Sequence, residues 1–304
     1  MMTIAEVKRQ MTGPIPSVRT PFLKNGDIDW KGLDNQIDFL IEESKASTLL
    51  VTNGDSLLTL MSEAEVAELN KRVVETANHR ATVIASGKFW NYKMGVEFIK
   101  YSKEIGADIG IAPIVDWGQS AGNDECFDLV CETGKIMPVI VLTNLVNGRG
   151  LPLSVFEKLA KEKPTGFVGV KDDICGDYGR RLAGLFNGNF AFMSGGLAVN
   201  HLDSAPYKTD GYLSLFASFY PKYCHEYWEL YTKNNIIGCG RWIIEKEKPY
   251  VDMLRSNGLN FNAACHGMME LAGICGRYRR SPYSSMTDAQ MEILSDYAKK
   301  VGMF

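Results

Sequence analysis

Histidine is scarce in this chain of 304 residues, with four scattered copies, and no Cys-x-x-C pair accompanies them. A clustered metal site is therefore not expected. The seven cysteines are odd in number and widely spaced, which reads as the reduced thiols of a cytoplasmic protein. No apolar run approaches the roughly 18 residues that span a bilayer. Met1 to Gln10 carries Glu6, Lys8 and Arg9 without an apolar stretch, so a secretory signal is not expected either. Long runs of one charge are also missing. Apart from Arg277-Tyr278-Arg279-Arg280, basic residues never run beyond two, and the net charge is −3. Neither nucleic acid nor membrane is an expected partner. There is no low-complexity linker and no repeat of solenoid period. What remains is a globular protein acting on a small molecule, with no cofactor assigned.

Short apolar runs alternate with longer helix-like stretches. Eight runs read as strands: Ile15–Val18, Thr48–Val51, Thr82–Ala85, Ile109–Ala112, Val139–Thr143, Phe167–Lys171, Phe190–Met193 and Tyr212–Phe216. They lack strict polar alternation, as strands covered on both faces should. Between them, Trp30 to Ser44 sets Leu33, Ile37, Leu40 and Ile41 on one stripe, Ser62-Glu63-Ala64-Glu65 is a capping box, and Ser154 to Lys161 is amphipathic. Strand, helix and strand in succession imply parallel pairing through right-handed crossovers. Eight such units fit a (β/α)8 TIM barrel, although periodicity alone also permits a doubly wound sheet. After Phe216 the pattern becomes helical, clearest at Tyr223–Tyr231 and Asp288–Val301. The expected organisation is a barrel over 1–220 and a C-terminal helical extension over 221–304. The aromatic residues Tyr223, Tyr227, Trp228, Tyr231 and Trp242 suit either a core or a subunit contact.

The segment Phe167-Val168-Gly169-Val170-Lys171-Asp172-Asp173 carries the most chemistry. Strict alternation puts Phe167, Gly169 and Lys171 inside the barrel and Val168 and Val170 against the helices. Lys171 then sits at the C-terminal rim, where barrel enzymes keep their chemistry, with Gly169 leaving space beside it for a substrate. A lysine held among apolar walls loses hydration, which favours the free amine, and the free amine attacks carbonyls to form imines. The alternative is a lysine that ends a strand and reaches solvent.

At this point the sequence resembles the dihydrodipicolinate synthase / N-acetylneuraminate lyase family of class I aldolases. Thr20-Pro21-Phe22 followed by Asn25-Gly26-Asp27-Ile28-Asp29 is similar to the family's opening, and Val168-Gly169-Val170-Lys171-Asp172 to its Schiff-base strand. Gly211–Ala217 with Pro221 is similar to its eighth-strand region, and Gly273 with Arg280-Ser281-Pro282 to its ending. The resemblance runs from about Gly13 to Met303. It implies a (β/α)8 barrel with extra C-terminal helices, usually a homotetramer, and a Schiff base on Lys171.

Departures from the family pattern narrow the activity. Where the family carries a threonine pair that holds the substrate carboxylate, this chain has Gly54 and Asp55, with Ser56 offered by a register shifted one residue. An ionised Asp55 would repel a carboxylate, whereas backbone amides around Gly54 can still cradle an anion. The tyrosine of the family's "YN" is matched by Thr143, which lacks an accessible phenolate, and the second tyrosine is lost in Pro113-Ile114-Val115-Asp116-Trp117. Asp55 and Asp116 are the new acid–base candidates, or else loop aspartates that cap helices. Thr143 is a candidate hydroxyl beside the lysine strand. Arg149, offset by one from the family's arginine, is a candidate for a distal carboxylate or a solvated loop charge. Ser194 and Gly195 offer amides after the seventh strand, or form a plain strand-to-helix turn, and Leu213 matches a position whose main-chain carbonyl points into the family's site. The expected function is a Schiff-base lyase, aldolase or dehydratase, acting on pyruvate or a 2-keto-3-deoxy sugar acid and not genuine dihydrodipicolinate synthase. The alternative is a family member that binds a small metabolite without turnover.

Overall fold

The structure is a computed structural model and describes residues 1–52, 54–87, 91–114, 121–144 and 150–304. Its strands are β1 (Gly13–Ile15), β2 (Ser17–Val18), β3 (Thr48–Val51), β4 (Thr82–Ala85), β5 (Ile109–Ile111), β6 (Val139–Leu142), β7 (Phe167–Asp172), β8 (Ala191–Ser194) and β9 (Gly211–Leu213). All pair in parallel, in the order β1-β9-β8-β7-β6-β5-β4-β3-β2. The expected first strand is broken at Pro16, which has no N–H to give to a ladder. Its two halves are the two ends of the strand order, so the sheet curls back on itself as a barrel.

Helices separate the strands: α1 (Ile4–Gln10), α2 (Trp30–Glu42), α3 (Glu63–Ala77), α4 (Tyr92–Glu104), α5 (Asn123–Gly134), α6 (Leu153–Glu162), α7 (Gly176–Phe186) and α8 (Ala198–Ser204). The capping box read at Ser62 forms, with Ser62 and Glu65 bonding each other's backbone N–H. The eighth strand ends earlier than its sequence suggests. Leu213 closes β9, and Phe216–Ser218 is a 3₁₀ turn.

The C-terminal segment forms α9 (Pro221–Thr232), α10 (Ile236–Trp242), a π-helical turn at Ile243–Glu247, α11 (Lys248–Ser256), α12 (Phe261–Leu271) and α13 (Asp288–Val301). Thr287 and Gln290 form the capping box of α13. Tyr223, Tyr227 and Trp242 are buried, and Trp228 and Tyr231 pack on the same cluster, so this aromatic group is core. All seven cysteines are free thiols. Among the described residues no helix is long and apolar enough to cross a membrane.

The barrel interior is filled by Ile15, Leu50, Ile84, Ile109, Ile111, Ile140, Val168, Ala191 and Met193, with Val7 of α1 and Met11, which caps that helix, in the same cluster. Strict alternation is wrong for part of β7. Val139 pairs with Phe167 but Ile140 pairs with Gly169, so one extra residue enters the strand. A bulge of one residue reverses the faces before it. Phe167 therefore packs outward on Phe186 and Phe190, and Val168 points inward. Beyond the bulge the expected parity holds. Val170 faces the helices, and Lys171 faces the barrel cavity.

Candidate active site

A cavity of about 420 Å³ lies where the C-terminal ends of the strands converge. Among the described residues its charged lining is Arg19, Asp55, Lys171 and Asp173, with neutral groups that include Ser17, Asn144, Ser214, Leu142, Leu213 and Phe261. Lys171 is 4% exposed. Its ammonium is ion-paired with the carboxylate of Asp173, which is itself on the cavity wall. The pair is thus open to whatever enters the cavity.

The geometry at the end of β7 depends on two glycines. A Cβ at Gly195 would collide with the Asp173 carboxylate and with the Asp172 carbonyl, to which the Gly195 N–H donates at 2.6 Å. Gly195 thus makes room for the partner of Lys171, although it is not itself on the cavity wall. The role expected of Gly169 is corrected: a Cβ there would run into the backbone carbonyl of Ala191, so this glycine permits close approach of β7 and β8 and does not open space for a ligand. Ser194 is buried at the end of β8, opposite Asp172, and is not a lining residue.

Across the cavity a second ion pair joins Arg19 and Asp55 at 3.3 Å. The Ser17 hydroxyl donates to the same Asp55 oxygen at 2.6 Å. Burial pushes the Asp55 carboxyl up, but the Arg19 guanidinium, the Ser17 bond and the Lys171 charge outweigh it and hold the group below its usual value. Burial likewise opposes the Arg19 charge, and Asp55 with other neighbours more than restores it. Asp55 is therefore an ionised carboxylate in the cavity, beside Gly54. The Ser56 hydroxyl is turned away, accepting from Thr52 N–H at 2.9 Å and donating to the Val18 carbonyl.

Thr143 does not line the cavity. It is fully buried, its hydroxyl donates to Asp172 at 2.9 Å, and it accepts the N–H of Asp173 at 2.8 Å. Asp172 also accepts the N–H groups of Ile174 and Cys175. These bonds fix the turn that aims Asp173 at Lys171. The reason is parity: Leu142 pairs with Lys171 and faces the cavity, so the next residue on β6 must face away. The β6 side chain beside the amine is thus the apolar Leu142. Asp116 and Arg149 lie outside the described residues.

Sequence reasoning missed Ser17, Arg19, Asp173 and Leu142. Ser17 and Arg19 are two apart at the end of the first strand, which is the spacing of one strand face. Asp173 stands two residues after Lys171, just beyond the strand that already carried the argument.

Comparison with known proteins agrees with this architecture. A model of the dihydrodipicolinate synthetase family matches residues 10–301. The 4-hydroxy-tetrahydrodipicolinate synthase of Acetivibrio thermocellus is 25% identical over 309 residues, covering 96% of this chain and 98% of that one. The enzyme of the same name from Methanocaldococcus jannaschii is 30% identical over 164 residues, covering 53% and 55%. Among solved structures, N-acetylneuraminate lyase from Fusobacterium nucleatum superposes with a TM-score of 0.83 at 20% identity, covering 96% of this chain and 99% of that one. A chloride-inhibited dihydrodipicolinate synthase from Acinetobacter baumannii, complexed with pyruvate, superposes with a TM-score of 0.81 at 22% identity, covering 97% and 100%.

Proposed function

The chain belongs to the dihydrodipicolinate synthetase family, and on that premise we propose that it is a Schiff-base-forming lyase in which Lys171 condenses with the ketone of a 2-oxo acid. The observation that carries this reading is a lysine almost fully shielded from solvent, on a cavity wall, with a carboxylate partner on the same wall.

In this reading Asp173 takes the proton from the Lys171 ammonium as substrate enters. The free Nζ then attacks C2, forming a C–N bond as the C=O π bond breaks, and one Nζ proton passes to the carbonyl oxygen, which becomes a hydroxyl. Asp173 returns the proton to that hydroxyl, which leaves as water. The protonated imine draws electrons toward C2, so the C3–C4 bond can break with its electron pair forming the enamine, or a C3 proton can be removed to form the enamine, which then expels a leaving group from C4. A proton must also move at the departing oxygen and later at C3. The Asp55 carboxylate, coupled to the Ser17 hydroxyl at 2.6 Å, stands across the cavity for that step. The substrate class is pyruvate and the 2-keto-3-deoxy sugar acids. Genuine dihydrodipicolinate synthase activity is disfavoured by Leu142 beside the amine and by the Gly54–Asp55 pair.

Borohydride reduction in the presence of pyruvate tests the reading. A mass increment located on Lys171 by peptide mapping is expected. Absence of any adduct across a panel of 2-oxo acids would overturn it. The second reading, a family member that binds a metabolite without turnover, draws on Leu142, which offers no proton where chemistry needs one. It predicts saturable ligand binding with Lys171 unmodified.

A further inference from the structure

We propose that Arg19 is the residue that selects for a carboxylate on the substrate, through exchange of its Asp55 partner for the substrate's own carboxylate. This rests on the Schiff-base reading and adds the recognition step to it. Three observations lead there. The loop after β3 places Thr52, Gly54 and Asp55 on the cavity wall, and the Ser56 hydroxyl is engaged elsewhere, so among its described residues this loop presents an anion with one neutral hydroxyl, that of Thr52, and no cation. Among the described lining residues the cations are Lys171 and Arg19. Lys171 is committed to the ketone carbon, which leaves Arg19.

The third observation is that Arg19 is under-used. It is 3% exposed, yet its Nε has no hydrogen-bond partner. The other nitrogens make one long contact each, to Asn262 at 3.3 Å and to Asp55 at 3.3 Å. A guanidinium satisfies a carboxylate best through two parallel N–H bonds, and a buried donor left unmade is costly. Asp55, already held by Ser17, meets this guanidinium at one nitrogen only. A ligand carboxylate that engages the fork more fully would bind well, and Asp55 would remain bonded to Ser17. The buried titratable neighbours of Arg19 do not compete: His266 is held neutral by burial, and the Cys265 thiol and Tyr250 phenol are kept protonated by theirs. Selection follows from the same geometry, because a ketone without a carboxylate gains nothing from Arg19.

The test compares pyruvate with hydroxyacetone, a ketone of similar size lacking the carboxylate, in the borohydride assay. Arg19→Gln should raise the half-saturating pyruvate concentration roughly 10- to 100-fold, leave the adduct at saturation intact, and leave half-saturation by hydroxyacetone unchanged. Arg19→Gln/Asp55→Asn should stay as weak for pyruvate as Arg19→Gln. Recovery of wild-type affinity in that double variant would overturn the proposal, since the defect would then be repulsion by Asp55. An equal shift for both ketones would overturn it as well, as a general disturbance of the site. Should the wild type form no adduct at all, the Schiff-base reading falls while Arg19 remains testable. In a Lys171→Met/Asp173→Asn background, where imine formation is impossible, pyruvate binding followed by NMR should be lost on Arg19→Gln, and binding that persists would overturn the proposal.

Discussion

Two regions of this molecule use the same chemistry, guanidinium or ammonium against carboxylate, with different completeness. At the clamp between the C-terminal segment and α3, Arg280 makes paired bonds to Glu65 at 2.8 and 2.9 Å and further bonds to the carbonyls of Gly26 and Leu60. It also lies over the Phe22 ring at 4.9 Å. Glu65 in turn accepts the Ser62 N–H at 2.8 Å as part of its capping box. Nearly every donor and acceptor there is used. In the cavity, Arg19 keeps an unpartnered Nε and Asp55 touches one of its nitrogens, while Lys171 leans on a single carboxylate. A saturated pair fixes structure. An unsaturated one, shielded from water, keeps capacity for a ligand.

The largest expected effect separates charge from nucleophilicity within the cavity. Lys171→Arg preserves a cation beside Asp173 but supplies no amine that can form an imine. The borohydride adduct should vanish and turnover should fall by at least about 10³-fold, with the thermal unfolding midpoint nearly kept. A variant that still fixes pyruvate would place the reactive amine elsewhere. Next in size, Asp173→Asn should slow imine formation about 100-fold at neutral pH, read as the rate of adduct appearance at saturating pyruvate. An unchanged rate would reduce Asp173 to a counter-ion and weaken the contrast with the clamp.

Much of the barrel was legible because parallel strands buried on both faces read as plain apolar runs, and β3 and β4 fall on their expected residues. Lys171 was legible for the same reason, at the end of a recognisable strand. What was hidden depends on local insertions and on partners distant in sequence. The bulge in β7 flips Phe167 and Val168, and its residue signal, Gly169 inside the strand, reads equally well as space for a ligand. One step of parity on β6 turns Thr143 into a buried scaffold and presents Leu142 to the amine. Arg19 hid inside an otherwise family-like opening, since its meaning comes from Asp55 and Asn262, which lie 36 and 243 residues away. Gly195 reads as an ordinary turn residue until the Asp173 carboxylate is seen beside it.

The clamp should respond in the opposite manner to the cavity. Arg280→Ala removes charge-assisted bonds from a partly exposed site, so the expected cost is about 2 kcal/mol of unfolding free energy after allowance for solvent screening, measured in denaturant. The half-saturating pyruvate concentration should not change. Loss of pyruvate binding without loss of stability would break the comparison, because the saturated pair would then be acting on the site.

The smallest effect, and the sharpest in sign, comes from pH. The Arg280 bonds, more than any other contact, hold the Glu65 carboxyl down to about 2, against 4.5 for the ordinary group. The folded protein therefore holds on to the ionised form, and the unfolded chain takes up the proton first as pH falls. The contribution is complete above 4.5 and drains away between 4.5 and about 2. The stability gap between wild type and Arg280→Ala should accordingly be constant near neutrality and narrow as pH falls through that window, by a fraction of the roughly 2 kcal/mol seen at pH 7. In a Glu65→Gln background the gap produced by Arg280→Ala should be smaller at neutral pH and should not narrow. A gap between wild type and Arg280→Ala that stays constant down to pH 2 would mean that the clamp acts through packing on Phe22 and the carbonyl bonds, with the ion pair contributing nothing measurable.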